Sequence, residues 1–375
     1  MTLKVVSTFS GTGGSSCGYK LAGCEVLASV EFIPEAAESY RANFPNAHVL
    51  QKDIREVTAE EIFKVTGLKR GELDIFDGSP PCASFSASGA GKKLHGKVKA
   101  YSGTKQRVDD LFFEYTRLVD GLQPKFFVAE NVKGMMFSDY HDIVSRVMNE
   151  FDNAGYICQV RVLNAADYGA PQQRKRTFFI GIRKDIAEKL FNPFQVAMGI
   201  VPDGLLHPVA THAPKEDIDK LIAFNAGRPV AEHKPIPKKW VSVKEAIQDI
   251  ENDPVELDFL KIAMEKYANL KLLCEIKNPG ETHHKRFNLM RNWVDKPSAT
   301  ILQSNAHAGA ACVCHYDGTR PHTIPELKRL MSFPDDFKLT GTYAQQCERL
   351  GRAVAPLNMK AIAEHIIKLS EEIDA

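Results

Sequence analysis

The sequence predicts an α/β protein, a doubly wound, mostly parallel sheet with a smaller, irregular domain attached. Three observations lead there. Short apolar runs alternate with helical periods through the first half of the chain, a glycine-rich turn follows the first apolar run, and the rhythm fails after about residue 185.

Each element has a local cause. LKVVST (3–8) is a short apolar run that ends in FSGTGG, and SSCGYKLAG behind it has helical spacing with Gly23 placed to stop it. VLASVEF (26–32) is the second strand. PEAAESYRANF (34–44) is an amphipathic helix opened by a proline, whose fixed φ suits the first helical position. HVLQKDI leads into a helix near 58–66, and ELDIFD (72–77) and KFFVAEN (125–131) are buried strands separated by a glycine-rich loop and the helix DDLFFEYTRLVDGL. HDIVSRVMNEFDNAG, YICQVRVLN and RTFFIGIR add one helix and two strands. Stretch 186–300 holds Pro-rich pieces such as RPVAEHKPIPKKW, with helical candidates near 242–251 and 256–272. From 324 onward the chain is helical again and ends in the long amphipathic VAPLNMKAIAEHIIKLSEEI. The expected organisation is a first domain over 1–185, an irregular domain over 186–322, and helices over 323–375 that return to the first domain.

Composition narrows the function classes. Of 375 residues, 44% are hydrophobic and 25% charged, an ordinary globular balance that excludes a disordered chain. No segment offers the roughly 18 uninterrupted apolar residues of a membrane span, and MTLKVVSTFSGTGG lacks a signal-peptide layout. Eight cysteines without framework spacing suit a reducing, cytoplasmic compartment. A net charge of +1 excludes a uniformly basic coat, so any nucleic-acid contact must come from local basic patches.

Four groups of residues bear chemistry. Gly11, Gly13 and Gly14 sit where a strand turns into a helix, so backbone can approach a ligand closely and the helix N-terminus can face polar groups. Glu31 ends the next strand, twenty positions after Gly11, where an acid takes both ribose hydroxyls of a nucleoside. Ser16 occupies the third glycine's place of a dinucleotide fingerprint, and no Gly-Lys-Ser/Thr follows, which argues against NAD and against a P-loop. A tight turn without a ligand has the same signature. Asp53, after the third strand, either holds an adenine amino group or caps a helix.

Behind ELDIFD stands SPPCASFS (79–86). Two prolines stiffen the backbone, and the strand's carboxyl end puts Cys82 on the same edge as FSGTGG, a setting for a nucleophile and a poor one for a core cysteine. KFFVA delivers Glu130 to that edge, followed by Asn131; a carboxyl near Cys82 can work as an acid. In DYGAPQQRKRTFFIG, Gln172, Arg174 and Arg176 alternate, so an extended segment points all three to one side, toward an anionic or carbonyl-rich partner; a solvated basic edge has the same composition. CVCH (312–315) lacks the spacing of a structural zinc site, so no metal is expected. His283, His284 and Trp293 are candidates for DNA contact and equally for surface or packing roles.

Together these residues resemble the DNA cytosine-5 methyltransferases of bacterial and phage restriction-modification systems. FSGTGG is similar to the family's first motif, Glu31 to its second, Asp53 to its third, SPPCASFS to its Pro-Cys motif, ENV to its glutamate motif and QQRKR to its Gln-x-Arg-x-Arg motif. DKPSATI (295–301), TIPELKRLMSFPDDF (323–337) and GRAVAP (351–356) resemble the late motifs, so nine motifs run in order along nearly the whole chain outside the variable region. The resemblance implies a Rossmann-like fold that uses S-adenosyl-L-methionine, with 1–185 catalytic and cofactor-binding and 186–322 recognising the target. It implies a base flipped out of double-stranded DNA, Cys82 adding to cytosine C6, Glu130 protonating or holding N3, Arg176 holding O2 and Arg174 binding the nearby backbone phosphate. Around the cofactor it points to Phe9, Gly11, Gly13, Glu31, Phe32, Asp53, Ile54, Pro80 and Leu111. Loop 87–107, with six Lys/Arg and no acid, suits a mobile clamp on phosphates as well as a solvated loop. The partners it implies are DNA and a separately acting restriction endonuclease, for a cytoplasmic, nucleoid-associated monomer.

The chain departs from the family pattern in three places. Ala83 stands where glutamine is usual, Thr323-Ile324-Pro325-Glu326 replaces Thr-Pro-Arg-Glu, and Gly351-Arg352-Ala353-Val354-Ala355-Pro356 replaces Gly-Asn-Ser-Val-Pro-Pro. A cation at Arg352 would suit a donor with an extra carboxylate. Three other functions compete. Transfer RNA methylation lacks its Cys-Phe-Thr signature here, amino-group methylation would place an aromatic residue where Cys82 stands, and a noncatalytic DNA-binding relative would be expected to lose Cys82, Glu130 or the arginines.

Overall fold

The computed structural model describes residues 2–81, 99–101, 104–106, 111–137, 141–199, 201–226, 228–266, 272, 275–284, 286–303 and 313–375. Cys82, Ala83, Cys312 and most of loop 87–107 lie outside them. The chain divides into two compact units: Met1–Leu163 with Lys175–Pro208 and Met359–Ala375, and Asn164–Arg174 with Val209–Asn358.

The first unit is the α/β sheet. Its elements run β1 (Lys4–Thr8), α1 (Gly14–Leu21), β2 (Glu25–Val30), α2 (Pro34–Asn43), β3 (His48–Leu50), α3 (Ala59–Thr66), β4 (Ile75–Gly78), a small hairpin of β5 (Lys99–Tyr101) and β6 (Thr104–Gln106), α4 (Leu111–Leu122), β7 (Phe126–Val132), α5 (His141–Asn153), β8 (Tyr156–Asn164) and β9 (Lys175–Arg183). Seven strands form one sheet in the order β3-β2-β1-β4-β7-β9-β8. The pairs from β3 through β7 are parallel, and β9 runs antiparallel to β7. Strands covered on both faces read as continuous apolar runs, which is why β1, β4 and β7 are almost wholly buried.

Capping residues set the helix limits. Pro34 opens α2, the Thr58 hydroxyl accepts from Glu61 N at the start of α3, and Gly67 closes α3 in a left-handed conformation. An aromatic stack fills the space under α4 and α5: Phe76 on Tyr115 with centroids 5.0 Å apart, and Phe127 on Phe151 at 4.0 Å. ELDIFD enters the sheet only at Ile75, because the Asp74 carboxylate is taken by Lys4 N (2.8 Å) and Lys125 Nζ (2.8 Å) at the strand's lower end.

The second unit has little sheet. It contains a three-stranded piece (Thr282–His283, Arg286–Arg291, Val313–Cys314), a parallel pair (His212–Ala213, Lys238–Lys239), and helices Lys215–Ala226, Val243–Ile247, Pro254–Lys266, Ile324–Leu330 and Tyr343–Arg352. Buried polar side chains are numerous in it, among them Gln172, Arg174, Asn292, Ser298, His322 and Glu326. The final helix, Pro356–Asp374, lies in the first unit from Met359 onward. No helix among the described residues is long and apolar enough to cross a membrane.

Candidate active site

Parallel pairing puts the carboxyl ends of β1, β2, β4 and β7 on one edge of the sheet, and the antiparallel run of β9 brings its first residues to the same edge. The turn after β1 is shaped for close approach. Phe9, Gly11 and Gly13 all have positive φ (49°, 55° and 97°), and a Cβ on Gly13 would come within 2.4 Å of the Phe44 ring. Phe9 accepts a backbone conformation rare for a bulky residue, a cost that local packing must offset.

Glu31, just past β2, is buried against this turn: its Oε2 accepts from Gly11 N (2.7 Å) and its Oε1 from Ile33 N (2.8 Å). The backbone thus fixes a carboxylate beside the glycines, and each carboxylate oxygen has more than one acceptor direction. Thr12 Oγ1, buried in the same turn, has no hydrogen-bond partner among the described residues. A fixed acceptor for paired hydroxyls, an unsatisfied hydroxyl and glycine backbone fit a nucleoside cofactor such as S-adenosylmethionine. Phe9 and Phe32 are half-buried here, and Phe9 packs against the main core. Ile54 and Leu111 are core residues, and Pro80 is buried. Asp53 caps the short helical turn Ile54–Glu56 through Arg55 N (3.1 Å) and pairs with the Arg55 guanidinium (3.0 Å), which is one of the two roles left open for it and does not test the adenine contact. The serine in the third glycine's place also has a role: Ser16 Oγ lies 2.8 Å from Tyr40 Oη, both buried.

The catalytic candidates meet across β7 and β9. Arg176 is opposite Val132 in the register and Phe178 is opposite Glu130, so Arg176 and Glu130 are diagonal neighbours on one face. Arg176 Nε lies 3.0 Å from Glu130 Oε1. Burial lowers the Arg176 pKa from its ordinary value and Glu130 opposes that shift. Asn131, next along β7, donates through Nδ2 to the Pro80 carbonyl (3.2 Å) and accepts from Val132 N through Oδ1 (2.8 Å). Ser79 N is 3.4 Å from Thr8 O. Both bonds fix the backbone that leads into Cys82, which itself is outside the described residues.

One expectation needs correction. Gln172, Arg174 and Arg176 do not form one extended face, because the strand begins only at Lys175 and the first two belong to the second unit. Arg174, expected on a backbone phosphate, has structural bonds inside the second unit. Arg174 is 1% exposed and donates to Ile301 O (3.1 Å) and Gly351 O (2.9 Å), while Gln172 Nε2 lies 3.3 Å from Leu330 O and its Oε1 accepts from Ile301 N. A buried guanidinium that donates through both terminal nitrogens to carbonyls is a cross-link between chain segments. Gly351 must be glycine there, since a Cβ would lie 2.3 Å from the backbone of Leu302 and Gln303. Arg352 is held by Glu348 (2.5 Å) and by Gln303 Oε1 (2.8 Å).

The late motif forms a capping box despite its altered order. Thr323 caps helix Ile324–Leu330 and Glu326 completes the capping box, so Thr and Glu hold their places and the proline has moved within the first turn. Glu326 also takes Arg320 in a bidentate pair (2.6 and 2.9 Å) and His322 Nδ1 at 2.9 Å. Burial works against its charge, but hydrogen bonds from His322 and Arg320 win and hold the carboxyl well below the usual range.

Sequence reasoning passed over Asp77. It is buried in β4 on the Glu130 side, accepting from Ser7 Oγ (2.7 Å) and Tyr19 Oη (3.3 Å). Burial pushes its carboxyl up to about 7, with Glu130 adding to the shift and the Ser7 and Tyr19 bonds opposing it. The signal was an acid inside the apolar run that precedes SPPC.

The family model for C-5 cytosine-specific DNA methylases matches residues 3–368. Type II methyltransferase M1.HphI of Haemophilus parahaemolyticus is 32% identical over 371 residues, covering 99% of this chain and 88% of that protein. M.Sau96I of Staphylococcus aureus is 30% identical over 356 residues, 95% of this chain and 73% of its own length. Among solved structures, a protein described as a DNA modification methyltransferase of an E. coli prophage superposes with a TM-score of 0.68 at 23% identity, covering 99% of this chain and 100% of that one. The S. pombe Dnmt2 methyltransferase gives 0.60 at 15%, with full coverage of both chains. At these identities the structural likeness speaks to the fold.

Proposed function

Since this chain belongs to the C-5 cytosine-specific DNA methylase family, and is a DNA cytosine-5 methyltransferase of the Type II restriction-modification kind, we propose that it methylates a flipped-out cytosine through a covalent Cys82 adduct. The observation that supports this most is the Glu130–Arg176 pair at the carboxyl edge, beside backbone that Asn131 ties to Pro80.

Cytosine C5 is a weak nucleophile until C6 is attacked. The Cys82 thiolate adds to C6, a proton held by Glu130 goes to N3, and the electron pair moves to C5 as an enamine. S-adenosylmethionine would be held by the glycine turn and Glu31, and it would supply an electrophilic methyl on a sulfonium to that electron pair, with the thioether as leaving group. Once C5 carries that methyl, a base removes the C5 proton, the electron pair of that bond restores C5=C6 and expels the thiolate, and the N3 proton returns to Glu130. Arg176 donates to O2 of the base, where negative charge grows as C6 is attacked, and orients Glu130 through the same guanidinium. Arg174 keeps the segment before Arg176 in place and touches no reacting atom. Residues 1–185 provide this chemistry, 186–322 most of the base reading, and the double-stranded target lies in cytoplasmic, nucleoid DNA beside a separate endonuclease; the enzyme works as a monomer. Bisulfite sequencing of DNA from cells expressing the protein tests the reading. One protected cytosine context that disappears with Cys82→Ala is expected, and protection that persists in that variant overturns the covalent route.

A further inference from the structure

Away from the catalytic edge, one side-chain cluster has the make-up of a metal site. In the second unit Glu275, His283 and His284 bring one carboxylate oxygen and two imidazole nitrogens within 4.8 Å of one another. His283 ends the strand Thr282–His283, which pairs antiparallel with Arg286–Arg291, so the sheet fixes its backbone; His284 follows in the turn. The His283 ring is buried, with Nε2 3.0 Å from Glu275 Oε2, and the two imidazole centroids are 4.4 Å apart. Glu275 and His284 are exposed, which leaves the cluster open to solvent on one side.

We propose that Glu275, His283 and His284 bind a divalent transition-metal ion of the Zn²⁺ type, with water completing the coordination. Two nitrogens and one carboxylate suit zinc, cobalt or nickel, whereas calcium and magnesium select all-oxygen sets. Metal–ligand bonds near 2.0–2.2 Å set tetrahedral ligand atoms about 3.3 Å apart. The His283–Glu275 contact already has nearly that spacing, and closing the site requires only that exposed His284 and Glu275 draw in. The neighbouring apolar cluster explains what the ion does. Its buried members are Ala263, Ile276, Leu289 and Cys314, a small core for a three-stranded sheet, and a metal bond from Glu275 to the hairpin cross-links what burial alone holds weakly. The site is structural, and it pins the part of the variable region that packs beside strand Arg286–Arg291.

The test uses the full-length protein, freed of metal by dialysis against a chelator and titrated with Co²⁺ and Zn²⁺. The proposal expects uptake of about one equivalent, a Co²⁺ spectrum of nitrogen and oxygen ligands, and affinity at least roughly tenfold weaker in Glu275→Gln and in His284→Ala. Both side chains are exposed, so both variants should fold, and Zn²⁺ should raise the melting temperature of the parent protein and of neither variant. Absence of uptake overturns the site. So does uptake that both variants retain, or a near-ultraviolet thiolate band, which would move the ion to cysteines. If His284→Ala weakens DNA binding while the parent takes up no metal, the imidazoles serve DNA and the proposal is wrong.

Discussion

Arg174 and Arg176 stand two residues apart in one motif and belong to different units of the chain. Arg176 lies at the start of β9 against Glu130, on the edge where the glycine turn and the Pro-Pro stretch converge. Arg174 is sealed in the second unit between the carbonyls of Ile301 and Gly351. The same division runs through the units as wholes. The first keeps its interior aromatic and aliphatic and places charge at strand ends, whereas the second holds its loops with buried polar groups such as Asn292, His322 and Glu326. In the proposed mechanism buried charge serves chemistry in one unit and shape in the other, and mutation should separate the two uses.

The largest effect is expected at Glu130. Glu130→Gln keeps the side-chain volume and an oxygen for Arg176 but gives N3 no acidic proton, so turnover should fall about 10²–10⁴-fold with DNA affinity nearly kept. Single-turnover methylation alongside a binding titration checks this; equal losses in both would make Glu130 a structural residue. Next in size is Glu326→Gln, which removes the buried carboxylate that pairs with half-buried Arg320 and should cost roughly 3–5 kcal/mol in urea unfolding. The pH dependence has a definite sign. A depressed carboxyl contributes stability that is present above its unfolded pKa, so the parent protein should lose that stability as pH falls below about 4, and Glu326→Gln should lack the slope.

Arg174→Met should come third, costing about 2–4 kcal/mol because two buried carbonyls lose their donor, with kcat per folded molecule little changed. Arg176→Met should show the reverse pattern. An Arg174 variant that folds as stably as the parent but loses DNA affinity would restore the phosphate contact to that residue. The smallest effect concerns Asp77. A carboxyl raised to about 7 stays protonated in the fold while the unfolded chain ionises near 4, so stability falls as pH rises between those values. Asp77→Asn should lack this decline in thermal melts across pH 4–8.

Much of this architecture was legible because the first unit obeys local rules. Apolar runs of strand length, Pro34 at a helix start and the Gly-rich turn after β1 each name their own element, and β8 falls on the apolar run YICQVRVLN. Glu130 and Arg176 were legible as candidates since a carboxylate at the end of KFFVA has few bland uses. Their contact was not, because it depends on β9 running antiparallel to β7, which no residue in either strand encodes. Arg174 misled for a related reason. Alternation predicts one face only where the backbone is extended, and the segment before Lys175 is instead tied down by Ser298 O on Gln173 N (2.8 Å) and by Ile301 N on Gln172. Asp77 was hidden inside a run read as strand. Its hydroxyl partners come from β1 and α1, some sixty to seventy positions away.

The most direct measurement of the central claim is covalent trapping. DNA containing the target context with 5-fluorocytosine is incubated with enzyme and S-adenosylmethionine, then denatured and separated by mass. Fluorine cannot leave C5 as a proton does, so the thiolate stays on C6. A denaturation-resistant enzyme–DNA adduct that maps to Cys82 and vanishes in Cys82→Ala is the predicted result. Methylation of ordinary DNA without any adduct on the fluorinated target, or an adduct that forms in Cys82→Ala, would contradict it.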